Sequence, residues 1–312
     1  MDKNSKIFVA GHKGMLGTSI VDELRAAGFT NLLLVGRDKI DLCNGMQVEE
    51  LFKTENPDYV ILAAAKVGGI NANMQFPVEF LSTNLSIQLN VISNAYKYKV
   101  KKLVFIGSSC IYPKDCIQPM KEEFLMDGKL EPTNEGYALA KITGYKLLQY
   151  YKTQYGFNSI SLMPCNLYGP KDSFDPDHSH VLSALVKKIS DAKRADLPNV
   201  SLWGTGVARR EFMNVKDAAK AIIFFMQNRE EQEFLNIGCG KDISIKDLAE
   251  LIAKMTGYKG KLEWDASKPN GMLRKCLDVS KMTSLGFTPA ISIESGIEEM
   301  IKIYEQKLNC II

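Results

Sequence analysis

Short runs of consecutive apolar residues alternate, through the first half of the chain, with stretches in which apolar residues recur every third or fourth position. The runs at 6–10, 31–35, 59–64, 102–106 and 159–163 predict buried strands. Ile20, Val21 and Leu24 predict a helix after the first run, and 77–98 and 137–155 predict helices between later ones. Alternation of this kind argues for a parallel sheet with helices on both faces. Beyond residue 170 the pattern shortens into a polar loop at 169–180, a helix running to 193, and smaller strand and helix pieces. Two parts are therefore expected, 1–170 and a smaller 171–312. The run Phe234-Leu235-Asn236-Ile237 is a candidate to return to the first sheet, which would interleave the two around 200–240.

The first run, Lys6-Ile7-Phe8-Val9-Ala10, leads into Gly11-His12-Lys13-Gly14-Met15-Leu16-Gly17 and then into the helical pattern. Strand, glycine turn and helix in that order make a dinucleotide cradle. Gly11 allows the tight turn, Gly14 lets backbone approach a pyrophosphate, and Gly17 permits close packing of helix on sheet. The spacing is Gly-x-x-Gly-x-x-Gly. The fold class expected is α/β, a Rossmann-type doubly wound parallel sheet, with 1–170 as the dinucleotide-binding domain and 171–312 as a mainly substrate-binding α/β domain. The second run ends in Gly36-Arg37. NAD-specific folds usually place an acid there, whereas Arg37 offers a guanidinium to a 2'-phosphate, which favours NADP over NAD. Asp38, one residue on, is the competing carboxylate.

Two chemistries are written near the middle of the chain. Gly107-Ser108-Ser109-Cys110-Ile111-Tyr112-Pro113 follows the strand-like run at 102–106, and Tyr137-Ala138-Leu139-Ala140-Lys141 opens a helical stretch. Residues i and i+4 of a helix share a face, so Tyr137 and Lys141 point their polar ends the same way. An ammonium beside a phenol lowers its pKa from about 10. Such a Tyr can hand a proton to a carbonyl oxygen that Ser108 also polarises while hydride arrives at carbon. Cys110 adds a candidate base for a carbon acid.

Composition narrows the class. The chain has 312 residues and a net charge of +3, with no block of like charge and no basic stripe, so no nucleic-acid partner is expected. Apolar runs are too short to cross a membrane, and Met1-Asp2-Lys3-Asn4 leads straight into the first strand without a signal-peptide pattern. A cytoplasmic enzyme is the default expectation. The seven cysteines, at 43, 110, 116, 165, 239, 276 and 310, are scattered, and with three histidines they give no metal site. Reduced thiols are expected.

Taken together, the glycine turn, Gly107-Ser108-Ser109, Tyr137-x-x-x-Lys141 and Asn166-Leu167-Tyr168-Gly169-Pro170 resemble the extended short-chain dehydrogenases that act on nucleotide sugars. Ala64-Ala65-Lys66-Val67-Gly68-Gly69-Ile70, Ser179-His180-Val181, Arg210-Glu211-Phe212 and Leu277-Asp278-Val279 extend the resemblance, over essentially the whole chain, to the GDP-L-fucose synthase family. That resemblance implies a substrate, GDP-4-keto-6-deoxy-D-mannose, whose C4 ketone acidifies the protons on C3 and C5. Both centres are inverted before NADPH reduces C4. It implies Cys110 as base, His180 as acid, Tyr137 as proton donor to the C4 oxygen, Lys141 as its partner and as holder of the nicotinamide ribose, and Ser108 beside them. Cofactor contacts carry over to Gly11, His12, Lys13, Gly14, Met15, Leu16, Gly17, Arg37, Tyr137, Lys141, Pro164, Cys165, Asn166, Leu167 and His180. Substrate contacts carry over to Lys188, Trp203, Arg210 and Asp278. Lys13 stands where many relatives carry Arg, a departure that softens the grip expected on a 2'-phosphate. His180, beside His178, opens the apolar pattern Val181, Leu182, Leu185, where a helix N-terminus disfavours its charged form. The resemblance also implies a homodimer through a four-helix bundle, for which Leu85, Leu89 and Ile92 fit either the interface or the sheet.

Competing readings are a nucleotide-sugar 4-epimerase, 4-reductase or 4,6-dehydratase, and a non-catalytic dinucleotide sensor. Dehydratases usually carry Asp-Glu directly after the Ser that precedes the Tyr helix, and Ser109-Cys110-Ile111 lacks it. Sensors commonly lose the Tyr or the Lys, and both are present here.

Overall fold

The computed structural model describes residues 1–175, 179–228, 234–268 and 271–309; His178 and Cys310 lie outside the described residues. The chain opens with β1 (Ile7–Ala10), α1 (Met15–Ala26), β2 (Leu32–Leu33), α2 (Gly45–Glu55) and β3 (Tyr59–Leu62). It continues through α3 (Ile70–Gln75), α4 (Pro77–Lys97), β4 (Lys102–Ile106), α5 (Glu135–Tyr155) and β5 (Ser159–Pro164). Next come β6 (Asn166–Tyr168), α6 (Val181–Arg194), β7 (Asn199–Trp203), β8 (Arg209–Asn214), α7 (Val215–Asn228) and β9 (Phe234–Ile237). The last elements are β10 (Asp242–Ser244), α8 (Ile245–Thr256), β11 (Lys261–Asp265), β12 (Arg274–Lys275), α9 (Ser280–Ser284) and α10 (Ile293–Asn309).

Six strands form one parallel sheet in the order β2-β1-β3-β4-β5-β9. Every residue of β1, β4 and β5 is buried, as a sheet covered on both faces requires. Helices α4 and α5 pack together on one side, and α1 and α7 on the other. Phe234–Ile237 does return to this sheet, pairing Ser161 with Phe234 and Pro164 with Ile237. The second strand is shorter than the apolar run at 31–35 predicts. β2 is an edge that finds a partner only at Ile7 and Phe8, after which Val35, Gly36 and Arg37 leave the sheet to line a cleft.

A second core lies under the later elements. α6 carries Leu182, Leu185, Val186 and Ile189 at helical spacing, and these pack with Leu248 and Ile252 of α8 and Ile297 and Ile301 of α10. Beside it, β8 pairs with β10, β12 and β6, and β7 pairs with β11. Ser244 accepts the Asp247 N–H to start α8, and Gly257 in the left-handed region ends it. Among the described residues no helix is long and apolar enough to cross a membrane.

Candidate active site

The C-terminal ends of β1, β3, β4 and β5 open onto a cleft of about 790 Å³. This is where an open parallel sheet places a ligand. Gly11 leaves β1 at φ +90°, and a Cβ there would meet the Ala64 nitrogen at 2.7 Å. A Cβ on Gly17 would lie 2.0 Å from the Gly11 carbonyl oxygen. The two glycines therefore let the turn and the first turn of α1 close on each other, leaving the N-terminal N–H groups of α1 facing the cleft. Every residue from Gly11 to Gly17 lines it, as do Arg37 and Pro164 to Leu167. We expect Gly17→Ala to destabilise the fold by about 1–3 kcal/mol, the usual cost of overpacking. An unchanged urea midpoint would refute this reading of the turn.

Where the cleft runs past Gly36 and Arg37, the Lys13 Nζ pairs with Asp38 Oδ1 at 2.8 Å, both side chains largely exposed. The Lys13 hydrogen bond holds the Asp38 carboxyl below its ordinary value. Burial, with Lys13 next, lowers His12, whose Nδ1 has no hydrogen-bond partner among the described residues.

At the centre, Ser108 caps a short 3-10 turn after β4 and accepts the Cys110 N–H at 3.3 Å. Its side chain also hydrogen-bonds Tyr137. One turn along α5, the Lys141 Nζ donates to the Ile106 carbonyl at 2.7 Å and lies 5.7 Å from the Tyr137 ring centre. Burial lowers Lys141 to about 8. The expected depression of the Tyr137 pKa is not present in this state. Burial, reinforced by Cys110, pushes the phenol well above its ordinary range. The cause is geometric: the Lys141 ammonium is engaged by a backbone carbonyl, and a phenolate in this enclosed position loses its hydration. A neutral phenol is the form that can give a proton to a carbonyl oxygen.

Cys110 is 6% exposed. Burial raises its thiol, and the positive charge of Lys275 is the largest opposing influence, ahead of Ser108 and Lys141. Lys275, on β12, is half-buried and lines the same cleft, and burial lowers its own pKa. Its only trace in the sequence is two basic residues just before Leu277-Asp278-Val279. His180 is the N-cap of α6, half exposed to the cleft, with Nδ1 3.2 Å from Asp172 Oδ1. Its pKa is raised, Asp172 outweighing burial. That reverses the expectation drawn from the helix terminus, because a carboxylate in direct contact outweighs half a unit of dipole charge.

The residues expected on the substrate side fall outside the lining of this cleft. Lys188 donates to the Ser201 carbonyl at 3.3 Å and lies 5.7 Å from the centre of the Trp203 ring, with Lys268 5.6 Å from the same ring. Trp203 is 55% exposed, so this two-lysine platform faces solvent. Arg210 spends Nη1 on the carbonyls of Arg209 and Met272, at 2.8 and 2.6 Å. Asp278 uses Oδ1 to accept the Ser280 N–H at 2.9 Å. Glu211, from the Arg210-Glu211-Phe212 motif, is fully buried and accepts the N–H groups of Gly240 and Leu277 at 2.7 and 2.8 Å, with burial raising it to about 7. It ties β8 to the segments after β9 and β12.

The model of the NAD dependent epimerase/dehydratase family matches residues 7–238. GDP-L-fucose synthase 1 of Arabidopsis thaliana is 50% identical over 303 residues, 97% of this chain and 94% of that protein. GDP-L-fucose synthase of Escherichia coli (strain K12) is 46% identical over 301 residues, 94% of each. Among solved structures, a GDP-mannoheptose C4 reductase from Campylobacter jejuni with NADP bound superposes with a TM-score of 0.90 at 39% identity, covering 98% of this chain and 99% of that one. The chain belongs to the NAD dependent epimerase/dehydratase family and, within it, to the GDP-L-fucose synthase family.

Proposed function

We propose that this chain converts GDP-4-keto-6-deoxy-D-mannose to GDP-L-fucose by 3,5-epimerisation followed by NADPH-dependent reduction at C4. The observation that carries the reading is one cleft lined by Ser108, Tyr137 and Lys141 and also by Cys110, Lys275 and His180. The first three serve a carbonyl oxygen. The second three serve its acidic neighbouring carbons.

The cradle fits a dinucleotide: Cβ atoms at Gly11 and Gly17 would clash with backbone, and Lys13 and Arg37 line the cleft as the cations that would hold a 2'-phosphate. NADPH, when bound, supplies the hydride. The protein's own work is protonic. Cys110 as thiolate removes the proton from C3 or C5, and the resulting enediolate oxygen is held chiefly by the Ser108 hydroxyl. His180 returns a proton on the opposite face. The same operation at the second carbon completes inversion, and Tyr137 then protonates the C4 oxygen. Lys141, Pro164, Cys165, Asn166 and Leu167 position the nicotinamide end. Lys188, Trp203, Arg210 and Asp278 hold the GDP-sugar from the lobe after residue 170. Stacking on Trp203 between two ammonium groups suits a guanine beside a pyrophosphate. The test is turnover in deuterated water: deuterium at both C3 and C5 of the product supports the reading. The C. jejuni relative favours a second reading, a 4-reductase alone, which would give reduction without exchange.

Assembly and compartment belong to the same proposal. Ile92 is buried on the sheet, whereas Leu89 is 54% exposed on the outer face of α4. A groove of about 310 Å³ runs between α4 and α5, lined by Leu85, Leu89 and Leu147, and the buried amide of Gln88 beside it has no partner among the described residues. A second copy covers this face, giving a homodimer built on four helices. Leu89→Asp is expected to produce a monomer at micromolar concentration, and wild type sedimenting as a monomer would overturn the assignment. The six described cysteines are all free thiols, which suits a cytoplasmic enzyme.

A further inference from the structure

Asp172 joins the loop after β6 to the start of α6. Its side chain is 3% exposed, and both of its oxygens are engaged. Oδ1 accepts the Ser173 N–H at 2.9 Å and lies 3.2 Å from the His180 Nδ1, while Oδ2 accepts the hydroxyl of Ser183. Ser183 is fully buried in the first turn of α6, and the Asp172 N–H is itself held by the Gly169 carbonyl at 3.0 Å. Among the described residues, His180 is the one ionisable group within ion-pair distance of this carboxylate. A buried carboxylate needs donors around it, and here the backbone and Ser183 fix its orientation while leaving one direction for the imidazole.

We propose that Asp172 is the positioning residue of the epimerisation acid: it holds Nδ1–H of His180 so that Nε2 faces the cleft and can be reprotonated between two deliveries in one turnover. The proposal rests on the reading of His180 as that acid. Inverting C3 and C5 consumes two protons at carbon and releases two from carbon. His180 gives one from Nε2, and the proton taken by Cys110 leaves to solvent. The neutral ring then takes a solvent proton back on Nε2. That is possible only in the tautomer whose remaining proton sits on Nδ1, the one Asp172 selects by accepting it. An amide at this position can instead donate to Nδ1, which moves the remaining proton to Nε2 and blocks the second delivery. In serine proteases, changing the Asp of the catalytic triad to Asn disables the histidine through the same wrong tautomer.

The other ionisable groups lining the central cleft are Cys110, Tyr137, Lys141 and Cys165 on the sheet side and Lys275 on β12. Asp172 alone holds His180 above its ordinary value, against burial. Its removal therefore lets the imidazole lose its proton at lower pH.

Three measurements test this together. Asp172→Asn should slow deuterium exchange at C3 and C5 by about 100-fold, within the range for general acid catalysis. It should also move the alkaline limb of the exchange profile to lower pH. Single-turnover oxidation of GDP-L-fucose by NADP, which needs no epimerisation, should fall at least about tenfold less than exchange does, since His180 is not its proton acceptor. In the wild-type protein, histidine-selective 15N spectra, with His180 assigned through His180→Asn, should show the neutral ring protonated on Nδ1. A neutral ring protonated on Nε2, or an Asp172→Asn profile matching wild type, overturns the proposal. The spectrum decides the matter even if the Asn variant does not fold. Failure of the underlying reading looks different: wild type without exchange, or His180→Asn exchanging like wild type.

Discussion

Tyr137→Phe will exchange deuterium into C3 and C5 of the keto-sugar at close to the wild-type rate while reduction at C4 falls by about 10³-fold, within the span for a lost general acid. The Tyr137 hydroxyl sits beside Ser108, and burial keeps it protonated. In the reductive direction that is the useful form, because the C4 oxygen gains a proton as the carbon gains hydride. Removing one oxygen atom leaves Cys110, His180 and the glycine turn in place. Product analysis by mass spectrometry and NADPH absorbance separates the two outcomes. If exchange disappears together with reduction, Tyr137 serves the enediolate oxygen as its principal support, and the division between the two half-reactions is wrong.

The mirror result is expected of Cys110→Ser. A hydroxyl is too weak a base to replace a thiolate, so exchange should drop by about 10³-fold or more. Oxidation of GDP-L-fucose by NADP should survive in this variant. Cys110 also carries a pH signature. Exchange in wild type should rise with pH as the thiol ionises, starting from a value that burial places above the ordinary thiol. Lys275 is the chief influence holding that value down. Lys275→Met therefore moves the acid limb of exchange to higher pH, while loss of an unrelated structural lysine would leave the limb where it was.

These two predictions draw on parts of the molecule that are readable from sequence to different degrees. The strand, glycine turn and helix at 7–26 are local, as is the Tyr137–Lys141 spacing, so both can be read directly from adjacent residues. Phe234–Ile237 is visible as a strand because it is largely apolar, and the structure supplies its neighbour. Asp172 and Lys275 are not legible. Each acquires its meaning from a partner on another element, Asp172 through the first turn of α6 and Lys275 through the turn after β4. A basic dipeptide and a loop aspartate have no periodicity to mark them. The pKa direction of His180 is hidden for the same reason: the helix terminus is visible in sequence, but the carboxylate that outweighs it is not. Arg210 shows a subtler limit. Its charge marks it for substrate, yet its Nη1 is committed to main-chain carbonyls that no motif reveals.

The late return of β9 to the sheet has a consequence for how the chain is made. Until residue 237 has left the ribosome, β5, all six residues of which are buried in the finished protein, has no neighbour on its outer side. α7, which covers β4 and β5 and packs on α1, is also still missing from that face. The nascent chain therefore carries an open apolar strand edge during synthesis of α6, β7 and β8, the situation in which sheets recruit foreign strands. Chaperone demand should be concentrated in that window, and a fragment ending near residue 170 inherits the open edge permanently.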